Sequence, residues 1–574
     1  FRTIARRLGQ AYPEMDAEKD VSLKQLIDAQ VGAARPALWT LLGAVFFVLA
    51  IACANVANLL LARGAARQHE LAVRAALGAS RTALARQLLT ESLVLAIAGG
   101  ILGLGIAYGL FRALQVLAPA TLPRLNEIAL NERALLFSLL ATLATGLLFG
   151  LIPAWRLSAV DLHATLKERT RTASRGRLRQ ALVVAQVAAA LILLTGAGLL
   201  LRSFWELRQV DLGFNPEQLL TLRVNLLPTK YNSSPELQVQ FARNVEAAVG
   251  ALPGVQQAGI ATDLPLLGGP QYIMRFEGRP PVSVANAPLA AFVSVTPNYF
   301  GALGMRLKRG RLLAPTDLPT GPRVCVVNEE MLRRYFPNGE DPIGKRLEIG
   351  FSDPPNWREI VGVVEDAKFN GIDQAAKVQV FGSFLQQPGV IPGQAPPISI
   401  AVRTNSDPAL LAQAVRRKIL EVDNAQPVYA VQTMTEVVSN NLSQKRFAML
   451  LLGLFAALAL LLAAIGLAGV VSYLVTQRTK EIGIRLALGA TRGAVLRMIE
   501  GHTLRLVSLG ILVGLAGAFA ATRALSTMLY GVTPRDPLTF AAVAAALLLI
   551  ALAAGLWPAL RATRIDPVRA LRDE

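Results

Sequence analysis

The chain has 574 residues, of which 53% are apolar and 17% charged, and its mean hydropathy is +0.43. Soluble globular chains carry about 25% charged residues. Here the apolar residues gather in long uncharged runs, which excludes an ordinary soluble enzyme and a disordered chain and points to a multi-span membrane protein.

Lys and Arg outnumber Asp and Glu by 58 to 39, a formal net charge of +19. No basic stretch is interleaved with aromatics as a nucleic-acid stacking platform requires. The charge is assigned to loops beside anionic lipid, and no nucleic-acid partner is expected. Cys53 lies in an apolar run and Cys325 in a soluble stretch, while His69, His163 and His502 are scattered. Neither a disulfide framework nor a zinc or histidine-based site follows from such spacing.

In chain order, residues 1–36 are polar and of mixed charge. They are expected to be the tail of a truncated outer domain. Seven windows then meet or approach the length of about 20 apolar residues that a bilayer requires. They are Ala37–Leu61, Ser92–Phe111, Ala134–Trp155, Gln180–Leu201, Phe447–Gln477, Leu506–Thr522 and Pro537–Leu560. Residues 62–90, 156–179 and 478–505 and the tail after residue 560 are rich in arginine; the loops 112–133 and 523–536 are poorer in net positive charge. Positive loops stay inside. The N-terminus of this chain is therefore expected outside and its C-terminus in the cytoplasm, with residues 202–446 forming a large extracytoplasmic domain.

The two membrane blocks copy each other. Glu70-Leu-Ala-Val-Arg74-Ala-Ala-Leu-Gly78-Ala-Ser80-Arg81 matches Glu481-Ile-Gly-Ile-Arg485-Leu-Ala-Leu-Gly489-Ala-Thr491-Arg492 at a constant offset of 411. Gly99 and Gly103 match Gly510 and Gly514 at the same offset. Gly150, Pro153, Ala154, Arg156, Asp161 and Leu166 match Gly555, Pro558, Ala559, Arg561, Asp566 and Leu571 at an offset of 405. Charged residues in register on both sides of two spans indicate an internal duplication. The Gly-xxx-Gly pairs place small residues on one helix face, where close backbone approach drives helix packing in lipid. On the same logic the full protein is expected to have eight spans and two outer domains.

Each Glu-x-x-x-Arg segment is expected to fold as a short helix on the cytoplasmic side. Gly78 and Gly489 can end it in a left-handed conformation. Ser80 and Thr491 can cap the next helix. The result is a stiff elbow at the membrane surface. Its arginines have two readings: contact with acidic groups of a motor protein, or retention of lipid phosphates.

Within 202–446, Leu219–Leu226, Val255–Ala261, Ile398–Arg403 and Val428–Gln432 read as strands, and Glu236–Ala251 and Pro408–Val422 as helices. Two such strand–helix–strand units can pair as a ferredoxin-like split βαβ sheet. Between them lies a mixed insertion, with strands at Leu289–Val295, Arg323–Asn328, Arg346–Ile349 and Glu359–Val364 and a helix near Glu329–Tyr335. Loops are expected at Leu264–Pro270 and Gln387–Pro397. The segment Gly339-Glu-Asp-Pro-Ile-Gly344-Lys345-Arg346 approaches a phosphate loop. However, Arg346 replaces the hydroxyl residue and Pro342 removes an amide, so it reads as a turn entering a strand. No catalytic set stands out.

With these residues in view, the chain resembles the MacB/FtsX-type ABC transporter permeases, and in its doubling the ADOP permeases. The resemblance rests on the two elbow segments, the large outer domain between spans, and the Pro-Ala-x-Arg…Asp…Leu segments. It implies a partner ABC ATPase on a separate chain or, as in MacB itself, a fused ATPase domain; here the ATPase is expected in trans and carries the ATP and Mg²⁺, so no cofactor and no enzymatic activity are expected in this chain. It further implies ATP-driven movement of the outer domain, in efflux or export, in a bacterial inner membrane. Further partners would be membrane lipid and membrane-fusion or outer-membrane components. The elbow residues Glu70, Arg74, Gly78, Ser80, Arg81, Glu481, Arg485, Gly489, Thr491 and Arg492 would then couple to the ATPase. The competing expectation is a membrane-anchored sensor or scaffold without ATP coupling.

The expected fold is thus an α-helical transmembrane bundle of seven spans with an α+β extracytoplasmic domain. Its segments are 1–36 (outer-domain tail), 37–155 (first three-span unit), 156–179 (cytoplasmic linker), 180–201 (anchoring span), 202–446 (core domain), 447–560 (second three-span unit) and 561–574 (cytoplasmic tail).

Overall fold

The computed structural model describes residues 35–66, 80–117, 131–158, 168–232, 234–280, 286–350, 355–389, 394–477, 479–488 and 490–562, with residues 3, 4, 7, 10, 23, 25, 26, 28, 32, 74 and 352. Most of 1–36 and the tail beyond 562 lie outside the described residues. The chain forms two compact units. One comprises residues 1–25 and 209–443, the other 26–208 and 444–574.

The second unit begins with four helices: α1 (Arg35–Ala66), α2 (Arg81–Leu117), α3 (Glu132–Ser158) and α4 (Glu168–Arg208). Long apolar runs become helices because a helix satisfies every interior backbone group within the segment. Hydroxyls follow the same rule in α3. Ser138, Thr142 and Thr145 each donate to the carbonyl four residues earlier, at 2.8, 2.7 and 2.6 Å.

The first unit then runs through β1 (Leu219–Asn225), α5 (Pro228–Tyr231), α6 (Pro235–Gly250), β2 (Val255–Ala261), β3 (Gln271–Phe276), β4 (Leu289–Val295), α7 (Tyr299–Leu303), β5 (Leu307–Gly310), β6 (Val324–Asn328), α8 (Glu329–Tyr335), β7 (Arg346–Ile349), β8 (Arg358–Val364), β9 (Gln379–Ser383), β10 (Pro397–Thr404), α9 (Pro408–Val422) and β11 (Val428–Thr433).

Its first part is a four-stranded antiparallel array in the order β11-β1-β10-β2. Alternate residues Leu220, Leu222, Val224, Ile398, Ile400 and Val402 form one buried face with Phe241 and Val245 of α6 and Val415 and Ile419 of α9. This is the period-2 burial of a sheet covered by helices. On the other face, α7 crosses Gly259 so closely that a Cβ there would stand 2.5 Å from the Tyr299 Cα.

The inserted part closes on itself: β4-β3-β7-β8-β6-β9 returns to β4 through a parallel β4–β9 pairing, and β5 flanks β8. Strands β3, β5 and β9 were not among the sequence expectations. All five residues of β9 are buried, so it has no polar face to give an alternating pattern. Asn328 caps α8 by accepting from the Met331 amide. The Gly339–Arg346 segment is a turn into β7. Gly339 and Gly344 have φ of +76° and +80°, and the Gly344 amide donates to the Ile360 carbonyl at 2.9 Å.

The chain then forms α10 (Met434–Gln477), α11 (Thr479–Ala487), α12 (Arg492–Ala521), a short 3₁₀ turn (Thr522–Leu525) and α13 (Pro537–Ala562). Among the described residues, six helices are long and apolar enough to cross a membrane: Arg35–Leu59, Leu89–Ala113, Arg177–Arg208, Met434–Gln477, Arg492–Leu525 and Pro537–Arg561. The window expected at Ala134–Trp155 lies in α3, which is not one of the six; the side chains of its second half lie outside the described residues.

The core of the membrane unit is built on α4, whose Val183, Ala190, Leu191 and Leu193 are buried. α12 lies against it through glycines. A Cβ on Gly510 would stand 2.7 Å from the Val187 Cβ, and one on Gly514 would stand 2.9 Å from the Ala188 Cα. Backbone meets backbone, as small residues permit between apolar helices. Asp536 starts α13 by accepting from the amide and hydroxyl of Thr539, at 3.0 and 2.6 Å.

Candidate motor-coupling elbow

The second elbow is α11 followed by the turn into α12. Its first residue, Thr479, donates back to the Val475 and Thr476 carbonyls at 3.1 and 2.9 Å, which ties the new helix to the end of α10. At its other end the Ala490 amide donates to the Arg485 carbonyl at 2.9 Å. A 6→1 bond of this kind is the closure of a Schellman-type helix end. Gly489 itself lies outside the described residues. Thr491 is extended (φ −72°, ψ 149°) and its side chain accepts from the Ala494 amide, capping α12.

Glu481 and Arg485 pair at 2.7 Å, one helical turn apart and about half exposed. Such a pair contributes about 0.3–0.5 kcal/mol, so it shapes the surface more than it stabilises it. Arg485 Nη1 also donates across the bend to the Met498 sulfur. Ile482 is fully buried, whereas Ile484 is 47% and Leu488 82% exposed. The elbow thus presents an apolar knob beside an ion pair. Arg492 is exposed at the first position of α12, where a cation opposes the helix dipole.

The first elbow repeats this wherever it is described. Ser80 Oγ accepts from the Ala83 amide at 3.2 Å, the counterpart of Thr491 and Ala494. Arg74 is helical and donates to Gln87 Oε1 at 3.0 Å; Gln87 and Met498 are equivalent at the offset of 411. Arg81 opens α2 as Arg492 opens α12. Glu70 and Gly78 lie outside the described residues.

The four glycines expected to pack helices have different surroundings in the two copies. A Cβ on Gly99 or Gly103 would meet nothing within 4 Å among the described residues, while Gly510 and Gly514 press on α4. The close approach in the first copy uses other glycines. A Cβ on Gly100 would stand 3.2 Å from Thr142 Cγ2 of α3, and one on Gly146 would stand 2.9 Å from the Ala96 Cβ. The physical reason is that α12 turns its Gly510–Gly514 face onto α4, whereas α2 meets α3 through Gly100, one position on from Gly99. Sequence reasoning also passed over Ile484 and Leu488 as surface features. The signal was present: apolar residues on both sides of a nine-residue helix exceed what one buried face requires. Among the described residues no group of three or more His, Cys, Asp and Glu could hold a metal.

The FtsX-like permease C-terminal family matches residues 42–162 and again 453–567, and the MacB-like periplasmic core domain matches residues 184–418. The two FtsX matches start 411 residues apart and end 405 apart, the two offsets of the repeat. The chain is 27% identical over 340 residues to the pyoverdine export ATP-binding/permease protein PvdT of Pseudomonas savastanoi, covering 57% of this chain and 48% of that one. It is 27% identical over 328 residues to the ABC transporter permease YvrN of Bacillus subtilis, covering 54% and 76%. It is 27% identical over 295 residues to the macrolide export ATP-binding/permease protein MacB of Burkholderia thailandensis, covering 50% and 44%. The chain spans about half the length of the PvdT and MacB relatives. The periplasmic region of MacB from Actinobacillus actinomycetemcomitans is similar over 40% of this chain and 95% of its own, at 12% identity and a TM-score of 0.28. With apolar helices on both sides of a core domain and family matches over all three segments, the chain belongs to the MacB/FtsX-type ABC transporter permeases.

Proposed function

We propose that this chain is the transmembrane subunit of an ABC exporter, driven by an ATPase that docks on the two cytoplasmic elbows. The observation that carries this reading is the repeated elbow: a capped bend, an arginine strut across it, and in the second copy an exposed Ile484–Leu488 knob beside the Glu481–Arg485 pair. An exposed apolar patch rimmed by charge suits a protein contact better than contact with lipid phosphate alone. The names of the PvdT and MacB relatives join ATP binding to export, which supports efflux or export as the direction.

In this reading α3 is the seventh span, the N-terminus of this chain is extracytoplasmic and its C-terminus cytoplasmic in a bacterial inner membrane. Residues 202–446 are the extracytoplasmic core, between three-span units at 37–155 and 447–560. The order β11-β1-β10-β2 with α6 and α9 on one face supports a ferredoxin-like unit. Gly99 and Gly103 seat a further apolar helix in the assembled protein. ATP and Mg²⁺ are held by the partner chain, and membrane-fusion or outer-membrane components complete the assembly.

The test is reconstitution with a candidate ABC ATPase. Arg485→Glu and Leu488→Asp should each lower permease-stimulated ATP turnover at least tenfold, and Gly489→Pro should abolish it, with membrane insertion unchanged. Unaltered association and turnover in all three would remove the coupling assignment.

A further inference from the structure

A small cavity with a few polar groups in a mainly apolar lining lies inside the membrane unit, between α1, α4 and α10. Asn55, Asn58, Arg179 and Tyr473 line it, with Gly466 and Gly469 and the apolar Leu59 and Ile465. Of these, Asn55 has partners for both polar atoms: Oδ1 accepts from Gln186 Nε2 at 2.9 Å, and Nδ2 donates to the Leu462 carbonyl at 2.7 Å. Asn58 does not. It is only 5% exposed, and neither Nδ2 nor Oδ1 has a partner among the described residues. Arg179 is 9% exposed; its guanidinium lies 3.7 Å over the Tyr473 ring, and its Nε has no partner there either. One buried acceptor and two kinds of buried donor therefore converge on one space.

We propose that this cavity is a water site, holding one molecule that bridges Asn58 and Arg179. Size and chemistry select the guest. The cavity gives the centre of a water molecule about 20 Å³. One ordered water needs about 10–15 Å³ by that measure and two to four polar partners. Water donates to Asn58 Oδ1 and accepts from Asn58 Nδ2 and Arg179 Nε, which satisfies all three. A phosphate is too large, and an anion of any size leaves Asn58 Oδ1 without a donor. A cation would face the Arg179 charge. The empty cavity would leave buried polar groups unbonded, which an apolar surrounding penalises.

The space exists because the two copies differ. At the offset of 411, Asn55 and Asn58 correspond to Gly466 and Gly469. A Cβ on Gly466 would collide with the Asn55 amide and stand 2.8 Å from Gln186 Oε1. A Cβ on Gly469 would meet only Leu59 Cδ2, at an ordinary 3.8 Å. A methyl group at 469 therefore fits without strain but takes up the water's volume.

That gives a test whose sign decides, and it needs no ATPase. Thermal unfolding of the full chain in lipid nanodiscs is compared with Gly469→Ala and Asn58→Leu. In a wet cavity both variants lower the midpoint by about 2 °C or more, because each leaves polar groups unbonded. In a dry cavity both raise it, since Gly469→Ala fills a void and favours the helix and Asn58→Leu removes the orphaned amide. Radiolytic hydroxyl labelling supplies the second readout. Tyr473 should label at least tenfold faster than lipid-facing Phe46, and Gly469→Ala should abolish the difference. Raised midpoints, or Tyr473 labelling no faster than Phe46, would overturn the proposal. So would density at the site that continues into a lipid headgroup.

Discussion

Arg485 reaches across the bend at Ala490 to hydrogen-bond Met498, the same span that its repeat partner Arg74 covers to reach Gln87. A thioether is a weak acceptor and a side-chain amide a better one. The strut is therefore predicted to be adjustable in the second copy. Met498→Gln should slow amide exchange over residues 479–488, and Met498→Ala should speed it roughly fivefold, corresponding to about 1 kcal/mol. Exchange unchanged in both variants would mean that the contact does not brace the elbow.

Gly514 and Gly103 are predicted to differ sharply despite their equivalence. A side chain at 514 must displace the α4 backbone at Ala188, so Gly514→Leu should destabilise the membrane unit by about 3 kcal/mol or more. Gly103 faces no described atom within 4 Å, so Gly103→Leu should leave the thermal midpoint of this chain unchanged. If Gly103→Leu instead disrupts the assembled transporter while this chain stays folded, a helix occupies that groove in the assembly.

Asp423 should govern the acid stability of the outer domain. Burial alone would raise its pKa, but hydrogen bonds from Lys230 and Tyr231, both at 2.7 Å, and from the Ala425 amide and Gln426 hold it at about 2. The folded value lies below the unfolded one, so this stabilisation is complete above about pH 4 and disappears as the pH falls through 2. Asp423→Asn should cost about 2 kcal/mol at pH 7, and most of that cost should be gone by pH 2. Unfolding midpoints measured across that range would check it.

Glu246 runs the other way. Burial raises its pKa to about 7, against the lowering effect of the Thr296 hydroxyl that it accepts from. A raised carboxyl stabilises the fold fully below about pH 4 and loses that contribution as the pH climbs through 7. Glu246→Gln should therefore gain up to about 3 kcal/mol at pH 8.5 and be neutral at pH 4. Equal stabilisation at both pH values would show that the carboxylate charge is not the cause.

What the sequence revealed follows from the physics of each element. The long apolar helices were legible because hydrocarbon leaves the backbone no alternative to a helix, although α3 is not among the six long and apolar enough to cross a membrane. The caps at Ser80 and Thr491 were legible because N-cap chemistry is local. β6 and β8 could be read because they are apolar runs bounded by turns, whereas β9 is short, includes Gly382 and has both faces buried, so neither alternation nor propensity marked it. The Gly-xxx-Gly pairs were recognisable as small-residue stripes, but whether a stripe is filled depends on which helix reaches it, and that is a tertiary fact. Asn58 and Arg179 lie 121 positions apart in the sequence, and only the packing of α1 on α4 brings them to one cavity.

The Asn55–Gly466 contact bears on how the two copies can evolve. If both copies carried asparagine, one amide would occupy the volume of the other; if both carried glycine, Gln186 would lose its acceptor. Neither half can therefore substitute for its sibling, and a symmetric dimer of one ancestral unit could not have held this contact. Fusion into a single polypeptide makes such lopsided complementarity heritable, because the mismatched halves are always synthesised together in a one-to-one ratio.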